Sequence, residues 1–140
     1  TDNFSARYLI NDACASAIKP WVYGSIAKFE GQVAVFNAVT TTPEVENHNI
    51  ITPEFSQHSA LRSLNYRDVF SKLPGEGEIQ NCAEAGVLGV LAGIIGSFQA
   101  MEVLKWILGL HGLLVNQMLT YNATDHSIAK FQLVNNSDRK

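Results

Sequence analysis

The chain is 140 residues long, the size of one domain, and a chain of this length buries about 68–70% of the surface it exposes when unfolded. Hydrophobic residues make up 46% of it and charged residues 16%, a globular, charge-poor composition that argues against disorder and implies that some apolar surface meets a partner. The net charge of -3 gives no broad basic field for a phosphate backbone, so nucleic-acid binding is set aside as the main role; Cys14 and Cys82, far apart and without Cys-x-x-Cys, give neither a disulfide scaffold nor a zinc ribbon, and a reducing cytoplasm is the default location.

Thr1-Asp2-Asn3 opens the sequence without a charged n-region or an apolar signal core, as expected of a cut or processed chain. From Phe4 to Ile18 apolar residues recur at helical spacing, with Asp2 or Asn3 available as the cap, Pro20 as the stop and Cys14 on the apolar side as a core residue. Trp21 to Ile26 and Gln32 to Phe36 read as an antiparallel pair whose turn, Lys28-Phe29-Glu30-Gly31, takes its positive φ from glycine. Val39 to Ser63 has two prolines and no sustained period, so a long surface loop is expected there. Asn65 to Phe70 suits a helical turn, and Lys72 to Asn81, with Pro74, Gly75 and Gly77, a mobile connection ending at Cys82.

Ala85 to Leu108 is the longest apolar segment, with Gly109 placed to end it. Its uncharged part, Ala85 to Met101, is at the lower limit for a membrane span, but Glu102 and Lys105 follow at once and no basic flank or aromatic belt sets an orientation, so a buried core helix is the preferred reading. Gly86, Gly89, Gly93 and Gly96 form one stripe, expected to let a sheet or a partner helix approach closely. Gln117 to Tyr121 and Ile128 to Val134 form a second hairpin around Ala123-Thr124-Asp125-His126, and Asn135 to Lys140 is a polar tail.

Neither Gly-x-Gly-x-x-Gly nor a P-loop pattern occurs, and His48, His58, His111 and His126 lack metal-ligand spacing and read as surface residues. Asp2-Asn3 at the head of the first helix can cap amides or hold Mg2+ beside a phosphate, and Arg7, one turn on, can reach the same anion or make a surface ion pair. Cys82, between a glycine-bearing loop and an apolar helix, is either a reachable thiol of lowered pKa or an inert half-buried one, with Glu84 opposing the shift.

Read together, Thr1-Asp2-Asn3 with Arg7, Val22-Tyr23-Gly24-Ser25 running to Phe29-Glu30-Gly31-Gln32-Val33, Asn65-Tyr66-Arg67-Asp68, Cys82-Ala83-Glu84-Ala85-Gly86 and Ile94 to Lys105 resemble the C-terminal half of the ThiF/MoeB/HesA family, relatives of ubiquitin-activating enzymes. Leu119-Thr120-Tyr121-Asn122-Ala123 fits the family's late strand. The resemblance implies an ATP- and Mg2+-dependent adenylyltransferase acting on the C-terminal glycine of a ubiquitin-like sulfur-carrier protein, in thiamine- or molybdopterin-type biosynthesis, and commonly a homodimer. It implies Asp2 as the Mg2+ ligand, Asn3 beside it at the nucleotide, Arg7 near the acyl-adenylate, and Cys82 as the thiol that receives the acyl group in several members. Because Asn65-Tyr66-Arg67-Asp68 stands where many members carry Cys-x-x-Cys, no zinc is expected. The family's nucleotide-binding half would precede Thr1, so residues 1–140 are expected to be a single-domain fragment that does not turn over alone, with residues 39–63 a loop insertion and 135–140 a tail.

The fold class expected is α/β: the C-terminal portion of a Rossmann-type, ubiquitin-activating-enzyme-like fold, with a mixed or antiparallel sheet of about four strands packed by helices. The open sheet edge and apolar surface left by the missing strands predict self-association. The alternative function is a non-catalytic module that dimerises or binds a ubiquitin-like protein; a membrane role is the third reading.

Overall fold

A computed structural model describes residues 3–41, 60–71 and 88–136. Its elements are α1 (Phe4–Ser16), β1 (Trp21–Ala27), β2 (Glu30–Phe36), β3 (Val39–Thr41), β4 (Ala60–Arg62), α2 (Tyr66–Val69), α3 (Gly89–Ile107), β5 (Gln117–Asn122) and β6 (Ile128–Gln132). Strands β1, β2, β5 and β6 form one antiparallel sheet in that order. Both expected hairpins are present. They are joined through β2 and β5, with Gly31 opposite Tyr121 and Val33 opposite Leu119.

Alternation along β1 and β2 divides the sheet into two faces. Val33, Val35 and Tyr121 point to one face, where Leu91 and Ile95 of α3 complete a core. Tyr23, Ala34, Phe36 and Met118 point to the other, where Tyr8 of α1 and Tyr66 of α2 complete a largely aromatic cluster. The result is a helix–sheet–helix sandwich.

Asn3 caps α1, its Oδ1 accepting the Ala6 amide at 2.7 Å. The helix ends in a Schellman arrangement: Lys19 N–H donates to Cys14 O and Ile18 N–H to Ala15 O. Ile18 occupies its left-handed position, at φ 52°, which was not foreseen from Pro20. The buried face of α1 also differs from expectation, because Arg7, Tyr8 and Asn11 are its buried residues while Leu9 is exposed and Cys14 only half-buried. That face meets polar groups as well as rings. Asn11 Oδ1 accepts the Tyr66 amide at 2.9 Å and the Asn37 carboxamide at 3.3 Å.

Three further expectations are corrected. The β1–β2 turn takes its positive φ at Lys28, while Gly31 lies within β2. The segment Val39 to Ser63 is not loop throughout, since its ends pair as β3 and β4, with Val39 opposite Arg62 and Thr41 opposite Ala60. Finally, α3 is not buried all round. Only Leu91, Ile95 and Glu102 are buried, and the described glycines of the stripe, Gly89, Gly93 and Gly96, have nothing within 4 Å of where a Cβ would stand. Close approach instead uses the sheet's glycines: a Cβ on Gly31 would collide with the Ile95 side chain, and one on Gly24 with the Gln99 carboxamide.

Glu102 is buried for a polar reason: its Oε2 accepts the Leu114 amide at 2.9 Å and its Oε1 pairs with Lys105, whose Nζ donates to Gly112 O. This ties the end of α3 to the segment entering β5. Gly109, at φ 62°, ends the helix as expected. By length and composition alone α3 could cross a membrane; here one side of it packs on the sheet.

Candidate functional site

On the sheet face opposite α3, a cleft of about 190 Å³ opens beside the head of α1. Its floor comes from every second residue of β1, namely Tyr23, Ser25 and Ala27, with Glu30 and Gln32 of β2 alongside. Phe4 and Arg7 of α1 form one wall and Tyr66 and Phe70 the other.

Arg7 dominates this cleft. It is only 7% exposed, its Nη2 donates to Ser25 Oγ at 3.1 Å, and its guanidinium lies 5.0 Å from the Phe4 ring centroid and 5.7 Å from that of Tyr23. Aromatic faces on a planar cation hold it without neutralising it. No ion pair involving Arg7 is present among the described residues, and its buried Nε has no hydrogen-bond partner there. A cation fixed in this way suits an anionic or carbonyl oxygen.

Tyr66 is fully buried at the back of the cleft. Burial, reinforced by Tyr23, pushes its phenol up to about 12, so it stays neutral across the working range of pH. Its backbone is set by a capping box in which Asn65 Oδ1 accepts the Asp68 amide and Asp68 Oδ2 accepts the Asn65 amide at 2.8 Å. The two side chains at the Cys-x-x-Cys positions of the resemblance are thus both engaged in starting α2. Arg67, adjacent to Tyr66, forms a two-pronged pair with Asp12 at 2.7 and 2.6 Å and lies over Tyr8, clamping α2 to α1. The guanidinium holds the exposed Asp12 carboxyl below its usual range.

Of the residues singled out from the sequence, Arg7 lines the cleft and Asn3 caps the helix that carries it. Asp2 and Cys82 lie outside the described residues, as do His48 and His58. Among the described residues no three His, Cys, Asp or Glu side chains gather in a metal-binding group. Sequence reasoning did not single out Ser25, Gln32 or Tyr66 for this site. Ser25 and Gln32 could have been found from strand alternation once Tyr23 was placed, whereas Tyr66 reaches the cleft only through the tertiary position of α2.

The ThiF family pattern matches residues 1–140, the full length of the chain. A sulfur carrier protein adenylyltransferase from Thermus thermophilus is 40% identical over 136 residues, covering 97% of this chain and 44% of the relative. A probable molybdopterin-synthase adenylyltransferase from Pyropia yezoensis is 38% identical over 136 residues, covering 96% and 30%. The chain therefore spans less than half the length of these relatives. Among solved structures, E. coli MccB superposes with a TM-score of 0.58 over 96% of this chain and 35% of its own, at 11% identity, a likeness of fold. With α1, the antiparallel sheet and the apolar helix in the order the sequence motifs require, and the family pattern running from end to end, the chain belongs to the ThiF family.

Proposed function

We propose that this chain is the part of an ATP-dependent adenylyltransferase that receives the C-terminal glycine carboxylate of a ubiquitin-like sulfur-carrier protein, serving sulfur transfer of the thiamine or molybdopterin type in the cytoplasm. The observation that carries this reading is Arg7: a nearly buried cation, fixed by Ser25 and two aromatic faces, in a cleft at the positive end of a helix. The named activities of the relatives support it.

Adenylation joins a carboxylate oxygen to the α-phosphorus of ATP, with pyrophosphate leaving. Both partners are anions, so positive charge held where they meet lowers the barrier. Arg7 would orient the carboxyl group and balance charge on the acyl-phosphate oxygens. The head of α1 suits phosphate, because its first turn contains no acidic side chain to compete. Asp2, next to the Asn3 cap, would hold Mg2+, a hard cation that characteristically binds one or two carboxylates together with substrate phosphates. When bound, Mg2+ supplies charge neutralisation at the phosphates. Cys82 would then take the acyl group: its thiolate attacks the acyl carbon and AMP departs. The glycine-rich phosphate loop would come from the rest of the protein, so residues 1–140 would not turn over alone.

Carrier-dependent ATP–pyrophosphate exchange by the full-length protein tests this. Exchange that collapses in Asp2→Ala and in Arg7→Ala is expected. Unchanged exchange in Asp2→Ala would remove Asp2 from the reaction. No exchange in the wild type, with full carrier affinity in the absence of nucleotide, would instead establish a binding module.

A further inference from the structure

Two polar atoms in the Arg7 cleft are left over by the fold. Arg7 Nε and Tyr66 Oη are both buried, and neither has a hydrogen-bond partner among the described residues. Tyr66 needs no hydroxyl to hold its place. Its ring packs against those of Tyr8, Trp21, Tyr23, Phe36 and Phe70, with centroids 4.5 to 5.7 Å away, and its backbone amide donates to Asn11 Oδ1. A phenylalanine would keep all of this and spare the penalty of an unpaired buried hydroxyl. Tyr8 is the contrast, since its hydroxyl donates to Phe70 O at 2.6 Å.

The two leftover atoms belong to one site. Both side chains line the same cleft, and the Arg7 charge acts on the phenol at close range, opposing the rise in pKa that burial causes. Burial prevails, so the phenol keeps its proton to donate. Because Nη2 is committed to Ser25 Oγ and the guanidinium is planar, the direction of the Nε–H is fixed. An N–H and an O–H without acceptors, both shielded from bulk water, suit an acceptor oxygen brought by a ligand. The cleft, at about 190 Å³, is smaller than the ~300–1,000 Å³ typical of small-molecule pockets and fits the end of an extended chain.

The chemistry decides which oxygen gains most. On the reading that this cleft takes a carboxyl terminus for adenylation, one carboxyl oxygen joins phosphorus and the other does not. During adenylation the second oxygen sheds charge as it becomes a carbonyl, so donors there hold the group without speeding the step. When a nucleophile then attacks the acyl carbon, the same oxygen gains a full negative charge until the C–O bond to AMP breaks. Fixed donors at that point bind more strongly as the charge grows. We propose that Arg7 Nε and Tyr66 Oη form an oxyanion-binding pair for acyl transfer from the adenylate, which makes Tyr66 a catalytic residue of the second step; this rests on the adenylation reading.

Tyr66→Phe in the full-length protein tests this with two assays on the same sample, given carrier, ATP and Mg2+. Carrier-dependent pyrophosphate exchange reports adenylation. Trapping with hydroxylamine reports acyl transfer whatever the natural acceptor: its nitrogen bonds to the acyl carbon, AMP leaves with the C–O electron pair, and the nitrogen's proton goes to solvent. Exchange should fall about threefold and trapping about 100-fold, with no drop in thermal midpoint. Equal losses in the two assays, or trapping at the wild-type rate, overturn the inference, as does a lowered midpoint, which would mean that the hydroxyl is bonded within the fold. Should Tyr66→Phe fail to fold, Arg7→Lys carries the test: it keeps a cation but removes the Nε–H, and trapping should again fall at least tenfold more than exchange, equal losses refuting the pair. A wild type without exchange brings down the adenylation reading and this inference with it, whereas exchange with trapping intact in Tyr66→Phe overturns this inference alone.

Discussion

Gly31→Ala is a one-carbon change at the centre of the sheet. Gly31 is paired with Ile26 on one side and Tyr121 on the other, so its backbone has little room to shift, and the new methyl would enter the space filled by the end of the Ile95 side chain. Overpacking of this kind costs about 1–3 kcal/mol. Ile95→Ala alone opens a cavity beside Leu91 and Val33 at about 2–5 kcal/mol. The two changes should compensate, because the methyl added to Gly31 occupies part of the hole that the shortened side chain leaves. The double variant is therefore expected to lie at least ~1 kcal/mol above the sum of the single losses in stability. Gly24→Ala is the internal comparison: its obstacle is the flexible Gln99 carboxamide, which can swing away at the loss of its 3.1 Å hydrogen bond to Val22 O, about 1 kcal/mol. Urea unfolding followed by circular dichroism measures each of these variants against the wild type. Strict additivity of Gly31→Ala and Ile95→Ala would show that α3 does not sit on β2 as described.

Other outcomes follow from the same contacts. Ile18→Gly should stabilise the protein by roughly 0.5–1 kcal/mol in thermal unfolding, because it relieves a β-branched residue held at φ 52° with its side chain mostly in solvent. Glu102→Ala should cost about 2–3 kcal/mol by leaving the Leu114 amide buried without its acceptor, and Glu102→Gln should recover part of that loss. Since the Tyr66 phenol titrates at about 12 when folded and at 10.0 as a free side chain, the unfolded chain loses its proton first. Its contribution is complete below pH 10 and lost as pH rises toward 12, so Tyr66→Phe should flatten the alkaline limb of a stability–pH curve. Ser25→Ala removes the acceptor that holds Arg7 and should raise the KM for the carrier about tenfold while the fold survives, as read in pyrophosphate exchange.

What could be read in advance depended on how local the cause was. The α1 cap, the two hairpins, the α2 turn and the Gly109 stop each arise from residues close in sequence, and each is present. The β2–β5 pairing is different, since it joins strands separated by both helical layers and leaves no local mark. The glycines mislead for a related reason. Spacing on a helix shows which glycines share a face, but not whether anything stands opposite them; the pair that takes up neighbouring side chains lies in strands, where a single Gly reads as a weakness. At the site, Arg7 was reached through the family's motif order. That it would be held by Ser25 and a tyrosine face, and not by a carboxylate, depended on which sheet face α1 crosses.

The small β3–β4 ribbon decouples chain length from architecture. Thr41 and Ala60 face one another across it, and beyond its base the Ser63 hydroxyl accepts the Ala38 amide at 2.8 Å, riveting both strands to the end of β2. Whatever joins Thr41 to Ala60 thus departs from and returns to one fixed point, where doubling a connection costs only about 0.6 kcal/mol. Epitopes, affinity handles or whole modules grafted between those two residues should leave the four-stranded sheet and the Arg7 cleft undisturbed.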